Sequence, residues 1–181
     1  MDATISVSKE YEPDFVGNCD GYIPKIEQIA FDVSKHTEEL LPIFYEAWKE
    51  VTGEDKSKSV KIILKDKEHE VLEIEALLYW YLLQEHCDIK LTLVDDRIVG
   101  MCIHRLIYDD ITAIRFLYFL PKYRKMYLGK ELIEKIGAKV FIFQTQKNIP
   151  PELFLKGITD RPQKICESEK LITWSMQWER R

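Results

Sequence analysis

The spacing of apolar and polar residues along this chain predicts a succession of strands and helices behind an irregular start. Residues 1–22 show no period. Acids, aromatics and turn formers (Tyr11, Pro13, Asp14, Gly17, Asn18, Gly21) are mixed there, and the stretch reads as an irregular arm, either disordered or docked on its own domain or on a protein partner. From Ile26 the pattern changes. Ile29, Phe31 and Val33 alternate with polar or small residues, as in a half-buried strand. Leu40, Phe44, Ala47, Trp48 and Val51 then share one helical face, Glu38 and Glu39 suit a first turn, and Gly53 is a C-terminal stop. Pro42 argues for a helix start later than Thr37. Val60–Leu64 is a short apolar core in a charged stretch and fits a strand or a helix. Val71–Leu83 is a helix-forming segment, apolar on most sides.

Three strand signals follow closely: Ile89–Val94, Ile98–Ile107 and Thr112–Leu120. The links Asp95-Asp96 and Asp109-Asp110 are so short that neighbouring strands must be antiparallel. Pro121 stops the third strand. Leu128, Leu132, Ile133 and Ile136 recur at helical spacing, and Gly137 ends that helix. Lys139–Thr145 reads as a strand reached by a crossover helix, hence parallel to Thr112–Leu120. Pro150 and Pro151 open a short helix that Gly157 closes. In Leu171–Trp178, Ile172, Trp174 and Met176 alternate with Thr173, Ser175 and Gln177. That is a one-sided last strand, able to pair with a second copy in a homodimer or to end at a covered edge. The fold class is α/β (α+β): a mixed, mostly antiparallel central sheet flanked by helices. It divides as an arm, 1–22, and one domain, 23–181.

Composition narrows the function classes. The chain has 181 residues, 46% hydrophobic and 31% charged, with a formal net charge of −5. This suits one globular domain and argues against nucleic acid as a partner. The start, MDATISVSKEYEPD, lacks a basic region followed by an apolar one, and the longest apolar run, Ala76–Leu83, is too short to span a bilayer. Cys19, Cys87, Cys102 and Cys166 are scattered, with no CxxC, so no metal site is expected and a reduced, cytoplasmic setting is the default.

The most informative stretch is residues 117–136, LYFLPKYRKMYLGKELIEKI. A strand ends at a proline, and a loop with Lys122, Arg124 and Lys125 leads into a helix carrying Lys130. No acid lies between Pro121 and Lys130. Unpaired amides at a helix start, the positive end of its dipole and four basic side chains make an anion site; the alternative is a solvated basic turn. His104 lies in the preceding strand, and an unperturbed histidine has a pKa suited to a general base, although lone strand histidines also serve packing.

This stretch resembles the core motif of the GNAT superfamily of N-acetyltransferases, roughly L-Y-V-x-P-x-Y-R-x-x-G-x-G. Leu117, Tyr118, Phe119, Pro121, Tyr123, Arg124 and Gly129 match it in register. The order of elements from about Ile26 to Gly157 is similar too. So are the hairpin from Asp95 to Gly100 and the late segment running from Asn148 to Phe154-Leu155-Lys156-Gly157-Ile158.

The resemblance implies a splayed parallel strand pair that admits acetyl-CoA. Amides from Lys125 through Met126, Tyr127, Leu128 and Gly129 to Lys130, with Arg124, would hold the pyrophosphate. The backbone of Leu117, Tyr118 and Phe119 would pair with the pantetheine arm, and Asn148 would lie beside the cofactor. His104 and Tyr118 are the catalytic candidates, and the acceptor is an amine of a small molecule or protein. Three positions depart from the pattern. Tyr127 stands where the family has glycine. Leu153 or Phe154 stands where a general-acid tyrosine is frequent. No carboxylate lies within Thr112–Leu120. The resemblance therefore also admits a silent interaction module, such as a phage-encoded protein acting in the cytoplasm or the virion.

Overall fold

The computed structural model describes residues 23–124, 126–146 and 162–177. These residues form two compact units, 31–86 and the pair of segments 23–30 and 87–177.

The first unit holds helix α1 (Val33–Thr52), the hairpin β2 (Ser59–Leu64) and β3 (Lys67–Leu72), and helix α2 (Glu73–Leu83). α1 starts earlier than the periodicity predicts. Asp32 caps it by accepting a 2.9 Å hydrogen bond from the Ser34 amide, so Val33 is already helical rather than the end of a strand. Pro42 lies inside the helix and faces solvent, where water can replace the backbone bond that proline cannot make. Gly53 ends α1 in the left-handed region, as its position predicts. The ambiguous Val60–Leu64 is strand. Lys65 and Asp66 both take positive φ, the signature of a two-residue turn that matches the twist of a hairpin. Val71 and Leu72 belong to β3, so α2 begins at Glu73.

The second unit is a seven-stranded sheet. Its strands are β1 (Ile26–Ala30), β4 (Asp88–Val94), β5 (Arg97–Tyr108), β6 (Ile111–Phe119), β7 (Val140–Gln146), β8 (Gln163–Glu167) and β9 (Leu171–Gln177), in the order β1-β4-β5-β6-β7-β9-β8. Every neighbouring pair is antiparallel except β6 and β7, which are parallel. This is the mixed, mostly antiparallel sheet expected from the sequence. The turn Asp95-Asp96 again uses two positive φ values, and the Asp95 carboxylate receives the Lys25 amide at 3.0 Å, which ties the start of β1 to the hairpin. β9 is not an edge. It lies between β7 and β8, and β8 forms the rim. All five residues of β8 (QKICE) are exposed, so no buried face imposes an alternation that could reveal it in the sequence.

Helix α3 (Leu128–Ile136) connects β6 to β7 and buries Leu128, Leu132 and Ile133. Ile133 joins Ala138, Phe141, Phe143 and Met176 in one core cluster. Leu128 joins Val94 and Val99 in a second, with Phe119, Leu120, Tyr123 and Met126 packed against it. Each fully buried aliphatic side chain contributes about 1.5–3 kcal/mol, so these clusters hold α3 firmly against the sheet. At the start of β7, the Asp110 carbonyl accepts from the amides of both Lys139 (3.1 Å) and Val140 (2.9 Å), and the Asp110 carboxylate meets Lys139 Nζ at 2.7 Å. One turn residue thus anchors the parallel strand. The short helix expected over 150–157 lies outside the described residues.

Candidate functional site: a split sheet beside a helix start

β6 and β7 pair only at Ile111–Val140, Thr112–Phe141 and Ala113–Ile142. From Ile114 onward β6 has no strand partner on that side among the described residues, while its pairing with β5 continues to Phe119–Gly100. The two parallel strands therefore part after three residues. The Leu120 amide donates to the Val99 carbonyl at 2.9 Å, toward β5. Peptide groups alternate along a strand, so those of Tyr118 also point to β5, and those of Leu117 and Phe119 point into the split. The Phe119 carbonyl there accepts a 2.9 Å hydrogen bond from Arg124 Nε. The Arg124 guanidinium also lies 5.1 Å from the centre of the Tyr118 ring, a cation–π contact.

The chain turns sharply after β6. Pro121–Tyr123 form one 3-10 turn, with the Tyr123 amide bonded to Leu120 O and the Arg124 amide to Pro121 O. Tyr127 then adopts φ 60°, ψ 9° and begins α3. The Tyr127 carbonyl receives the amides of Lys130 (3.0 Å) and Glu131 (3.2 Å). The preceding amides, Leu128 and Gly129, have no helical carbonyl to reach, and no side chain of the N-cap residue covers them. With the positive end of the helix dipole, they form a donor surface suited to an anion. The Tyr127 side chain is 64% exposed and swings out to solvent.

Structure separates the basic residues that the sequence groups together. Arg124 is bound to β6. Lys122 Nζ lies 4.8 Å from the centre of the Tyr123 ring. Lys130 Nζ lies 3.9 Å from Glu134 Oε1, one helical turn on, with both side chains partly exposed. Met126 packs against the Leu128 cluster. Lys125 and Asn148 lie outside the described residues.

His104 occupies the other end of the split. It pairs with Asp88 on β4 and with Ile114 on β6, the first residue beyond the paired part of β6 and β7. The residue is 8% exposed, and Nε2 is buried with no hydrogen-bond partner among the described residues. Burial, opposed by Asp88 and reinforced by Lys90, lowers its pKa and favours the neutral ring. Tyr118, also buried, faces Met101, three residues along β5 from His104. The two catalytic candidates are thus separated by about 10 Å of strand. Cys102 beside them is wholly buried, and burial drives its thiol pKa upward, away from a nucleophilic thiolate.

One residue of this region escaped the sequence reading as a site builder, Gly100, and of Phe119 that reading used only the backbone. They face each other across β5 and β6, and a methyl group at Gly100 would overlap the Phe119 ring. The signal in the sequence was a glycine inside the apolar run IVGMCI, which marks a close approach.

Comparison with known proteins places this geometry in context. A family model described as "Acetyltransferase (GNAT) family" matches residues 39–141. No curated protein matches the sequence significantly. Solved structures do. The PaiA N-acetyltransferase of Thermoplasma acidophilum, in complex with coenzyme A, is 14% identical with a TM-score of 0.58, over 85% of this chain and 99% of that one. An acetyltransferase from Thermus thermophilus is 13% identical with a TM-score of 0.59, over 84% and 97%. A GNAT family acetyltransferase from Elizabethkingia anophelis with acetyl-CoA bound is 13% identical with a TM-score of 0.53, over 84% and 98%. At these identities the likeness is one of fold.

Proposed function

The chain belongs to the GNAT family of acetyltransferases, and on that premise we propose that it transfers an acetyl group from acetyl-CoA to a primary amine. The observation that carries this reading is the parting of β6 and β7 after Ala113, in line with an uncapped helix start. From Ile114 to Phe119 the open edge of β6 runs about 17 Å at 3.3 Å per residue. That edge offers the N–H and carbonyl of Leu117 and the N–H of Phe119 to an extended, amide-bearing arm. At its far end the amides of Leu128 and Gly129 suit a pyrophosphate, with Arg124, Met126, Tyr127 and the Lys130 side chain around them and Lys125 and Asn148 assigned to the same cofactor. The donor set therefore fits coenzyme A at both its amide and its phosphate groups.

Acetyl-CoA supplies an acetyl group activated as a thioester. The chain's residues do the rest. The Leu117–Phe119 edge orients the acyl end in the split and presents a backbone N–H to the acyl oxygen as it gains charge. His104, level with the mouth of the split and neutral at pH 7, takes the proton that the amine sheds, through a water. The amine nitrogen bonds to the acyl carbon, the carbon–sulfur bond breaks, and the sulfur departs as a thiol, taking up the proton that His104 returns through water. Tyr118, buried beneath Arg124, holds the strand in place for this reaction.

Incubation with acetyl-CoA and a panel of small amines and amine-bearing peptides tests the proposal. Free thiol is expected in equal amount to acetylated product. No thiol above the hydrolysis control with any amine, in a protein that still binds coenzyme A, would favour a silent module over an enzyme.

A further inference from the structure

We propose that the Phe119 ring, seated in the slot left by Gly100, sets the position of the first amides of α3. This inference rests on the reading of those amides as the phosphate-facing surface, and deepens it by naming what positions them.

Gly100 and Phe119 form a pair that does not exchange backbone hydrogen bonds, since the Leu120 amide beside them bonds to Val99. Such pairs bring their side chains closest together. The Phe119 ring fills the space above the Gly100 Cα, where a methyl group would overlap it. The far edge of the ring reaches α3: a methyl group at Gly129 would lie 3.5 Å from Phe119 Cε2. Gly129 has no positive φ, so its backbone does not require glycine. The ring also packs against the cluster of Val94, Val99 and Leu128. The Phe119 backbone is held as well, its carbonyl bonded to Arg124. The ring is thus a spacer of fixed length between β5 and the first turn of α3. Pushed off Gly100, it moves toward Leu128 and Gly129.

The test uses amide resonances of the ¹⁵N-labelled protein without ligand, together with coenzyme A titrations. Gly100→Ala is expected to shift the Leu128, Gly129 and Lys130 amides and to weaken coenzyme A binding about ten-fold, roughly the net loss of one hydrogen bond. The double variant Gly100→Ala/Phe119→Leu, which makes room for the added methyl group, is expected to restore both. Amides unmoved by Gly100→Ala, or moved and not restored in the double variant, would overturn the proposal. Should Gly100→Ala fail to fold, a folded double variant supports the slot and an unfolded one contradicts it. If the unsubstituted protein does not bind coenzyme A, the cofactor reading falls, and the ligand-free amide shifts still decide the role of Phe119.

Discussion

Helix α3 begins and ends on a residue in the left-handed region, and the two ends are built differently. At its C-terminus Gly137 takes φ 83°, with its amide 3.3 Å from the Ile133 carbonyl. That is an ordinary stop, filled by the residue that adopts it without steric cost. At its N-terminus Tyr127 takes φ 60°, where a Cβ crowds the following carbonyl at a cost of about 1–2 kcal/mol. An N-cap residue is usually extended and supplies a side-chain acceptor, and Tyr127 does neither. The same torsion is thus held by glycine where it only ends a helix, and by a strained tyrosine where the unpaired amides begin. The contrast shows that this turn takes a left-handed torsion that glycine would adopt without steric cost, and that Tyr127 holds it at a cost.

Substitutions at and between the two ends sharpen this contrast. The largest effect is expected from Leu132→Ala, which removes a fully buried side chain from the middle of α3. It should destabilise the protein by about 2–5 kcal/mol in a denaturant titration and loosen both ends alike. Arg124→Ala should cost about 1.5–3 kcal/mol, since it removes a charged donor from the Phe119 carbonyl. It should also weaken coenzyme A binding, whereas Gly137→Ala should cost about 1–2 kcal/mol and leave binding unchanged. Tyr127→Gly should work in the opposite direction. Relief of strain exceeds the added entropy of the unfolded chain, for a net gain of about 0.5–1 kcal/mol. A loss of stability at Tyr127→Gly would show that the tyrosine holds the turn through its side chain.

The smallest effect concerns pH. Burial lowers the His104 pKa from its ordinary 6.5, so the unfolded chain binds the proton more readily than the folded one. The stability this provides is complete above about pH 6.5 and is lost as pH falls toward the folded value. The melting temperature should therefore decline below pH 6.5, and His104→Gln should flatten that part of the profile. An unchanged slope would place the titration elsewhere.

How much of this was legible in the sequence depended on whether one face of an element was buried. The β4–β5–β6 meander and α3 bury much of their surface, β5 on both faces from Ile98 to His104, and their apolar stretches were plain. β8 buries none, and its residues gave no signal. The β2–β3 hairpin was hidden for a related reason: β3 reads KEHEVL, charged on both faces, and its turn uses Lys65-Asp66 rather than a glycine pair. α1 was misplaced at its start because Pro42 outweighed the Asp32 cap. At the site, the join of strand, proline and helix was readable in register. Arg124 was read as a phosphate ligand because its charge is visible in sequence, while its bond to Phe119 is a tertiary fact. The Gly100 slot was equally tertiary, since it needs the pairing of two strands to bring ring and glycine together.

The most direct measurement of the central claim is a calorimetric titration of the protein with acetyl-CoA. The split between β6 and β7 and the bare amides of α3 predict one site per chain, saturating in the micromolar range. No heat of binding at millimolar acetyl-CoA would contradict the account.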